Sequence, residues 1–320
     1  MSRFPELERL ERLVDRSVGV AKVRVLGRIP VRDHEFPLYS FHVGPDDKTL
    51  PTLGLFGGVH GLEQVGTQLL LSFLEGFFEQ WTWDADLKER FQHFRLVLFP
   101  LVNPGGMFLG RRSNPNGIDL MRNAPVEAVG KTPFILGGHR YTNRLPYFRG
   151  QENASMEVEA QALCDFVREE LFQARAALAL DVHSGFGAKD RLWYPYAKSN
   201  VEFPRIKEVH ALTDLLDRSY PNHVYNVEAQ SSSYTTHGDL WDYLFELHRA
   251  EHGERAPAFV PWTLEMGSWI WVKKNPAQLF SMLGPFNPII EHRVRRTMRR
   301  HLPLIDFFLK ATRNHAVWTE

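Results

Sequence analysis

A histidine and a glutamate three residues apart, His60 and Glu63, are residues whose types and spacing could do chemistry. An imidazole nitrogen and a carboxylate oxygen are both suitable ligands for Zn²⁺. The apolar run at 53–56 and two glycines after it predict a buried strand that ends in a sharp turn. A predicted helix over 64–79 would place both side chains on nearly the same face, at the ligand-binding edge of an α/β sheet. The alternative is a surface pair that caps the helix, but the glycines and the strand favour a site.

His183 is a candidate for a third ligand, because it follows the strongly apolar run 176–182, which predicts a central strand. Two histidines and one glutamate leave a fourth coordination position open, which is typical of catalytic rather than structural zinc. Asp181 is better interpreted as a support for His183 than as a ligand. The alternative for His183 is a histidine whose hydrogen bonds are satisfied within the core.

Glu265 lies near the end of the last apolar run, 259–266. Burying a carboxylate there is costly unless it has a partner or a role. Zinc chemistry at neutral pH needs a general base, and Glu265 fits that role. The alternative is a buried salt bridge to an arginine of a loop.

Strands and helices alternate along the chain, which predicts one α/β domain over 1–320 with a mainly parallel central sheet. The segment 107–151 lacks periodicity, and loops of that length are often functional. Residues 224–238 predict a polar loop, and Ser155 is a candidate helix cap. Helices are predicted over 5–18, 64–79, 84–91, 155–171, 203–218, 239–252 and 289–314, and strands over 22–29, 36–43, 52–56, 95–102, 176–182, 191–196 and 259–266.

Composition excludes several classes of protein. Lys plus Arg (38) equals Asp plus Glu (38), which argues against nucleic acid or an anionic membrane as the main partner. The basic run at 293–300 is therefore interpreted as a solvated helix face. No apolar run approaches the ~18 residues of a spanning helix, and the charged amino-terminal segment lacks the apolar core of a signal peptide. Cys164, the single cysteine, lies in an apolar helical pattern, which predicts a buried thiol and a cytoplasmic, reducing location.

Five motifs taken together resemble the M14 family of zinc carboxypeptidases, the carboxypeptidase A-like fold. They span about residues 50–270. The resemblance implies a three-layer α/β/α sandwich around a mixed, mainly parallel eight-stranded sheet, with one zinc per chain. The motifs are G-G-V-H-G-L-E (57–63), N-P-G-G (103–106), R-R-S-N-P-N-G-I-D-L-M-R-N (111–123), D-V-H-S (181–184) and T-L-E-M-G (263–267).

The same resemblance implies roles for individual residues. The zinc ligands would be His60, Glu63 and His183, and Glu265 would be the general base. Arg112 would polarise the scissile carbonyl and stabilise the oxyanion, and Arg122 would bind the terminal carboxylate of the substrate. Arginine suits both roles, because it is planar, always charged and able to bind oxygens in pairs.

Three further positions matter for substrate recognition. The family's mobile tyrosine matches Tyr234 best, with Tyr225 as the competitor. Met121 stands where the family's carboxylate clamp has an asparagine, so about 1.5–3 kcal/mol of charged-acceptor recognition could be missing. Asp239 matches the floor of the pocket for the terminal side chain, where an acid would suit Lys or Arg. Asp239 also begins a predicted helix, where an acid is favoured as a cap.

The resemblance leads us to expect a zinc metallocarboxypeptidase that hydrolyses the C-terminal amide bond of a peptide through a zinc-activated water. The nearest alternative is an amidohydrolase acting on small N-acyl amino acids, similar to aspartoacylase or succinylglutamate desuccinylase. A third alternative is a non-catalytic binding protein. The presence of all three ligands, together with Arg112 and Glu265, argues against it. The expected partner is therefore a peptide or a small amide substrate.

Overall fold

The structure, a computed structural model, describes residues 4–253 and 256–319. Its strands are β1 Lys22–Val31, β2 His34–Val43, β3 Thr52–Gly57, β4 Arg95–Phe99, β5 Ala176–Ser184, β6 Arg191–Tyr194, β7 Asn226–Ala229 and β8 Ala258–Met266. Its α-helices are α1 Pro5–Arg16, α2 Gln64–Trp83, α3 Ala85–Arg90, α4 Pro104–Phe108, α5 Val158–Leu171, α6 Ile206–Ser219, α7 Leu240–His252, α8 Trp269–Lys274 and α9 Glu291–Arg313. Short 3₁₀ turns cover Leu120–Arg122, Gln230–Ser232, Pro276–Phe280 and His315–Val317.

The strands of the described chain form one mixed sheet in the order β1-β2-β4-β3-β5-β8-β6-β7. The four central strands, β4, β3, β5 and β8, are parallel to one another. Antiparallel pairs join β1 to β2, β2 to β4 and β6 to β8. The expected fold class, a mixed eight-stranded sheet in a three-layer α/β/α sandwich, is confirmed.

Helices cover the central strands, and this explains their apolar sequences. Every residue of β3, β4, β5 and β8 is buried, as expected for parallel strands covered on both faces. Helix α2 packs with α1 and α9, and α5 packs with α7; members of both groups contact central strands. The carboxyl ends of β3, β5 and β8 therefore meet at one edge of a rigid core.

Several predicted boundaries were wrong. Strand β4 stops at Phe99, because Pro100 has no N–H to donate to the ladder. Helix α5 begins at Val158, and Ser155 does not cap it. The predicted loop 224–238 contains the short strand β7, which pairs with β6 at one edge of the sheet. Its alternation of polar and apolar residues covers four positions within a polar segment, which is too short to predict a strand with any force.

Other expectations agree with the structure. Cys164 is a buried free thiol on α5. The basic face of α9 is partly neutralised, since Arg295 pairs with Glu291 and Arg300 pairs with Asp190. Within the described ranges, no helix has both the length and the apolar character needed to cross a bilayer.

Candidate metal and catalytic site

Three ligand candidates converge where β3 and β5 end. His60 lies in the turn after β3, and Glu63 occupies the N-cap position of α2. His183 lies near the end of β5, the neighbour of β3 in the sheet. One ligand atom from each residue lies within 4.8 Å of the others, and all three side chains are buried. The structure therefore brings together the two histidines and the glutamate that the sequence predicts as zinc ligands.

The turn that carries His60 rests on the start of helix α4, at Asn103–Gly106. A Cβ at Gly61 would clash with the backbone of Gly106 and Met107, so only glycine allows this close approach. The amide of Asn103 joins the turn to the helix: its Nδ2 donates to Val59 O at 3.2 Å, and its Oδ1 accepts from Gly106 N at 2.7 Å. The N-P-G-G motif thus supports the ligand loop.

Hydrogen bonds orient His183 and Glu63 towards each other. His183 Nε2 lies 2.8 Å from Asp181 Oδ2, which also accepts from Trp241 Nε1 at 2.9 Å. His183 Nδ1 then faces Glu63 Oε2 at 3.1 Å, and Ser184 N donates to the same oxygen at 3.0 Å. Asp181 therefore supports His183, as the sequence interpretation expects.

The two histidines differ in electrostatic environment. Burial, together with the guanidinium of Arg112, lowers the pKa of His60 well below its ordinary value. Burial also acts to lower the pKa of His183, but the carboxylates of Asp181 and Glu63 raise it well above its ordinary value. His60 is therefore neutral and ready to act as a ligand, whereas a metal at His183 must displace a proton.

Asp119 supports the site through its contacts with Arg112 and His60, and the sequence interpretation missed it. Its Oδ2 accepts from Arg112 Nε at 2.8 Å, and its Oδ1 lies 3.7 Å from His60 Nδ1. Asp119 also caps the 3₁₀ turn that carries Arg122, accepting from Met121 N at 3.1 Å. Its place in the motif R-x-N-x-x-G-x-D was the available signal.

Arg112 lies directly against the ligand set. Its Nη1 donates to Glu63 Oε1 at 3.3 Å, and its Nη2 lies 2.7 Å from His60 Nε2. Its guanidinium carbon also lies 4.7 Å from the centre of the Tyr147 ring, a contact that sequence reasoning did not predict. Tyr147 has a positive φ of 66°, which is unusual for a bulky residue, and it lines the same pocket as the ligands.

Glu265 faces the ligands from the neighbouring strand. It pairs directly with His183 across β5 and β8, and its Oε1 accepts from Phe186 N at 3.0 Å. Burial, and after it the negative charge of Glu63, raises the pKa of Glu265 to about 8. Among the described residues no basic side chain pairs with Glu265, so the structure does not support the salt-bridge alternative.

A small pocket of about 90 Å³ joins these groups. Arg122 and Met121 line it, and both are buried. The Nη1 of Arg122 donates to Met121 O at 3.2 Å, and its Nε has no protein partner in the described chain. An arginine with an unused buried donor, aimed at a pocket, is suited to bind an anionic group.

The two tyrosine candidates separate clearly. Tyr234 lines the pocket beside Phe186 and Trp193. Tyr225 lies outside this pocket, and its hydroxyl is 3.0 Å from Nδ1 of His301 on α9. The geometry therefore agrees with Tyr234 rather than Tyr225 as the tyrosine at the site.

Asp239 does not line the pocket. Its Oδ1 accepts from Trp241 N at 2.9 Å and Asp242 N at 3.0 Å, so it caps α7. These hydrogen bonds agree with the capping alternative. Asp239 does not lie at the floor of the pocket, where the resemblance would place it. Gln230 and Thr263 line the pocket instead, and the sequence interpretation named neither.

The curated proteins that this chain resembles in sequence are carboxypeptidases. The chain is 23% identical over 266 residues to the human carboxypeptidase N catalytic chain, covering 78% of this chain and 52% of that protein. It is 23% identical over 230 residues to carboxypeptidase SOL1 of Arabidopsis thaliana, covering 66% and 41%. The chain thus spans about half the length of these curated relatives or less.

Solved structures share the fold. Bovine thrombin-activatable fibrinolysis inhibitor, in complex with tick carboxypeptidase inhibitor, superposes with a TM-score of 0.66 at 17% identity, covering 98% of this chain and 99% of that chain. Carboxypeptidase A from Helicoverpa armigera gives a TM-score of 0.58 at 18% identity, covering 80% and 62%.

The sequence profile of the zinc carboxypeptidase family, Peptidase M14, matches residues 35–256, well over half of the chain. This range contains His60, Glu63, His183 and both candidate arginines. Glu265 lies beyond it, so its assignment depends on the strand pairing described above. From the profile match, this chain belongs to the M14 family of zinc carboxypeptidases.

Proposed function

We propose that this protein is a zinc-dependent metallocarboxypeptidase that hydrolyses the C-terminal amide bond of a peptide. One observation carries the proposal: the buried His60–Glu63–His183 cluster lies in one pocket with Glu265, Arg112 and Arg122. A metal-ligand set, a carboxylate base and two arginines are the groups that peptide-bond hydrolysis next to a free carboxylate requires.

The donor set fits zinc. Two imidazoles and one carboxylate are a usual set of catalytic ligands, and the buried Nδ1 of His60 has no hydrogen-bond partner in the described chain. When bound, zinc supplies Lewis-acid chemistry, which polarises a carbonyl and lowers the pKa of water. One zinc per chain is proposed, and the single cluster of this kind found among the described residues supports it.

Glu265 is proposed to act as the general base and then as the general acid. It would accept a proton from the attacking water and pass it to the leaving amine. Its buried carboxyl has a pKa raised to about 8, and a divalent cation at the neighbouring ligands would favour the ionised form that a base needs. The hydrogen bond from Phe186 N holds one oxygen and leaves the other for the proton.

The arginines are proposed to divide the substrate between them. Arg112, fixed by Asp119, would stabilise the negative oxygen that develops on the scissile carbonyl. Arg122, with its unused Nε, would bind the terminal carboxylate, and Tyr234 would close over the bound residue. Asp239, which caps α7 and does not line the pocket, is proposed to act by fixing that helix.

A second candidate function is hydrolysis of small N-acyl amino acids. The small volume of the pocket and the apolar Met121 beside Arg122 favour it, because both reduce the recognition of a peptide's terminal residue. The same ligands and base would serve that reaction.

A substrate panel separates the two candidates. We would incubate zinc-loaded protein with peptides that have free C-termini, the same peptides amidated, and N-acyl amino acids, and identify products by mass. Release of single C-terminal residues from the free peptides alone would support the carboxypeptidase. Turnover of N-acyl amino acids alone would favour the amidohydrolase, and no turnover in any arm would refute both.

A further inference from the structure

A second groove opens beside the catalytic pocket. It has a volume of about 590 Å³ and shares Arg112 and Tyr147 with the pocket. None of the proposed zinc ligands lines it, nor does Arg122 or Glu265. The groove therefore adjoins the catalytic pocket at Arg112 and Tyr147 and extends away from the proposed zinc ligands.

Arginine gives this groove its charge, and we call it the arginine groove for Arg111, Arg112 and Arg144 in its lining. Arg111 and Arg144 are exposed, and in the described ranges neither guanidinium has a carboxylate within ion-pair distance. No acidic residue of the described chain lines the groove.

One carboxylate lies near this face. Glu157 Oε2 accepts from Asn114 Nδ2 at 2.7 Å and from Asn116 Nδ2 at 2.6 Å. Asn116 lines the groove, whereas Glu157 does not. This acid is therefore engaged by two amide groups outside the lining, and the charged residues of the lining itself are arginines.

The two arginines stand on turns that are tied together. Asn143, next to Arg144, donates from Nδ2 to Asn116 O at 3.2 Å. Gly117 packs against Asn143 with a φ of +81°, where a side chain would be strained. The position of Arg144 relative to the Arg112 loop is therefore set by the fold.

The direction of a bound peptide follows from the proposed function, on which this inference rests. With the terminal carboxylate at Arg122 and the scissile carbonyl at Arg112, the next residues towards the amino terminus leave the pocket past Arg112 and Tyr147. The arginine groove is the depression that begins there.

We propose that the arginine groove binds acidic side chains of the substrate at the two or three residues that precede the scissile bond. Arg111 and Arg144 would contact the carboxylates as exposed positive charges. The protein would therefore select peptides that are acidic just before their last residue.

Matched peptides test this inference. We would measure kcat and KM for N-acetylated pentapeptides with one common C-terminal residue and with Glu, Gln or Lys at the two preceding positions. We expect a kcat/KM about five- to tenfold higher for Glu than for Gln, the effect of two exposed ion pairs. The difference should be in KM and should shrink at high salt, because exposed charges are screened.

Variants assign the effect to the groove. The double variant Arg111→Gln/Arg144→Gln should lose the preference for Glu while keeping kcat on the Gln peptide. The double variant Lys207→Gln/Arg218→Gln, on α6 away from the groove lining, removes the same two positive charges and should keep the preference. Equal kcat/KM across the peptides, or a preference that survives in the double variant, would overturn the inference.

A binding experiment tests the groove independently of catalysis, and so separates this inference from the proposed function. Titration calorimetry of the Glu and Gln peptides into zinc-loaded Glu265→Gln protein needs no turnover. Tighter binding of the Glu peptide, lost in Arg111→Gln/Arg144→Gln, would support the groove even if no peptide were cleaved. Equal binding would overturn the groove inference, whereas absence of cleavage in the wild type would overturn the proposed function.

Discussion

His183 and Glu265 are direct partners across the parallel strands β5 and β8. A proposed metal ligand and the proposed general base are thus held on neighbouring strands of the buried sheet. Their separation depends on strand pairing and not on a flexible loop. A change in the chemistry of one side chain should therefore leave the position of the other intact.

Glu265→Gln tests the general base. The amide keeps the shape of the side chain but cannot accept the proton, so we expect kcat to fall by about 10²–10⁴-fold or more with zinc content unchanged. Metal analysis and circular dichroism of the variant are the controls. Turnover near that of the wild type would make Glu265 structural.

His60→Ala and His183→Ala test the metal site. Each removes one ligand, and we expect zinc, stoichiometric in the wild type, to be lost from both variants on dialysis. Zinc affinity of the wild type should also fall on acidification, because the raised pKa of His183 means that zinc competes there with a proton. Retention of stoichiometric zinc in His183→Ala would contradict the ligand assignment.

Met121→Asn tests the carboxylate clamp. An asparagine at this buried position beside Arg122 could donate a hydrogen bond that methionine cannot. We expect KM for peptides with a free carboxylate to improve by up to about tenfold, the equivalent of ~1.4 kcal/mol. Amidated peptides are the control, and an unchanged or higher KM would mean that the clamp is built differently.

Asp239→Ala tests a structural role. Because Asp239 caps α7, the variant should lose about 0.5–2 kcal/mol of stability in chemical denaturation. The ranking of kcat/KM for peptides ending in Lys, Arg, Phe, Leu and Glu should not change. A basic preference in the wild type that vanishes in Asp239→Ala would instead return Asp239 to the substrate pocket.

Acid should destabilise the fold through two histidines of the core. Burial lowers the pKa of His248 and of His301 to about 4. In the unfolded chain the same histidines have pKa values of about 6.5, so on acidification the unfolded chain takes up these protons at a higher pH than the folded chain does. The contribution of the two histidines to stability is therefore fully present above about pH 6.5 and is lost as the pH falls towards 4. Each histidine contributes on the order of 3 kcal/mol to this loss.

The measurement is the free energy of unfolding between pH 7 and pH 4 for the wild type and for His301→Gln. The variant should lose less stability over this range, whereas His210→Gln, a change at an exposed histidine of α6, should match the wild type. Identical pH profiles for wild type and His301→Gln would exclude His301 as a source of the acid sensitivity.

Local patterns in the sequence were sufficient to select the candidate ligands and to predict the class of fold. Strand runs, glycine turns and a helix start are decided by neighbouring residues, so the positions of His60, Glu63 and His183 could be predicted. Membership of the M14 family agrees with the resemblance carried by the motifs. The single domain and the cytoplasmic location stay predictions.

The tertiary structure decided what depends on contacts between distant residues. The position of Tyr234 in the pocket, the support from Asp119 and the contact of Tyr147 with Arg112 all join separate segments of the chain. Asp239 caps α7, because it accepts hydrogen bonds from the amides of Trp241 and Asp242. Spacing along the chain fixes which residue types are available, whereas packing against the sheet fixes which of them share the site.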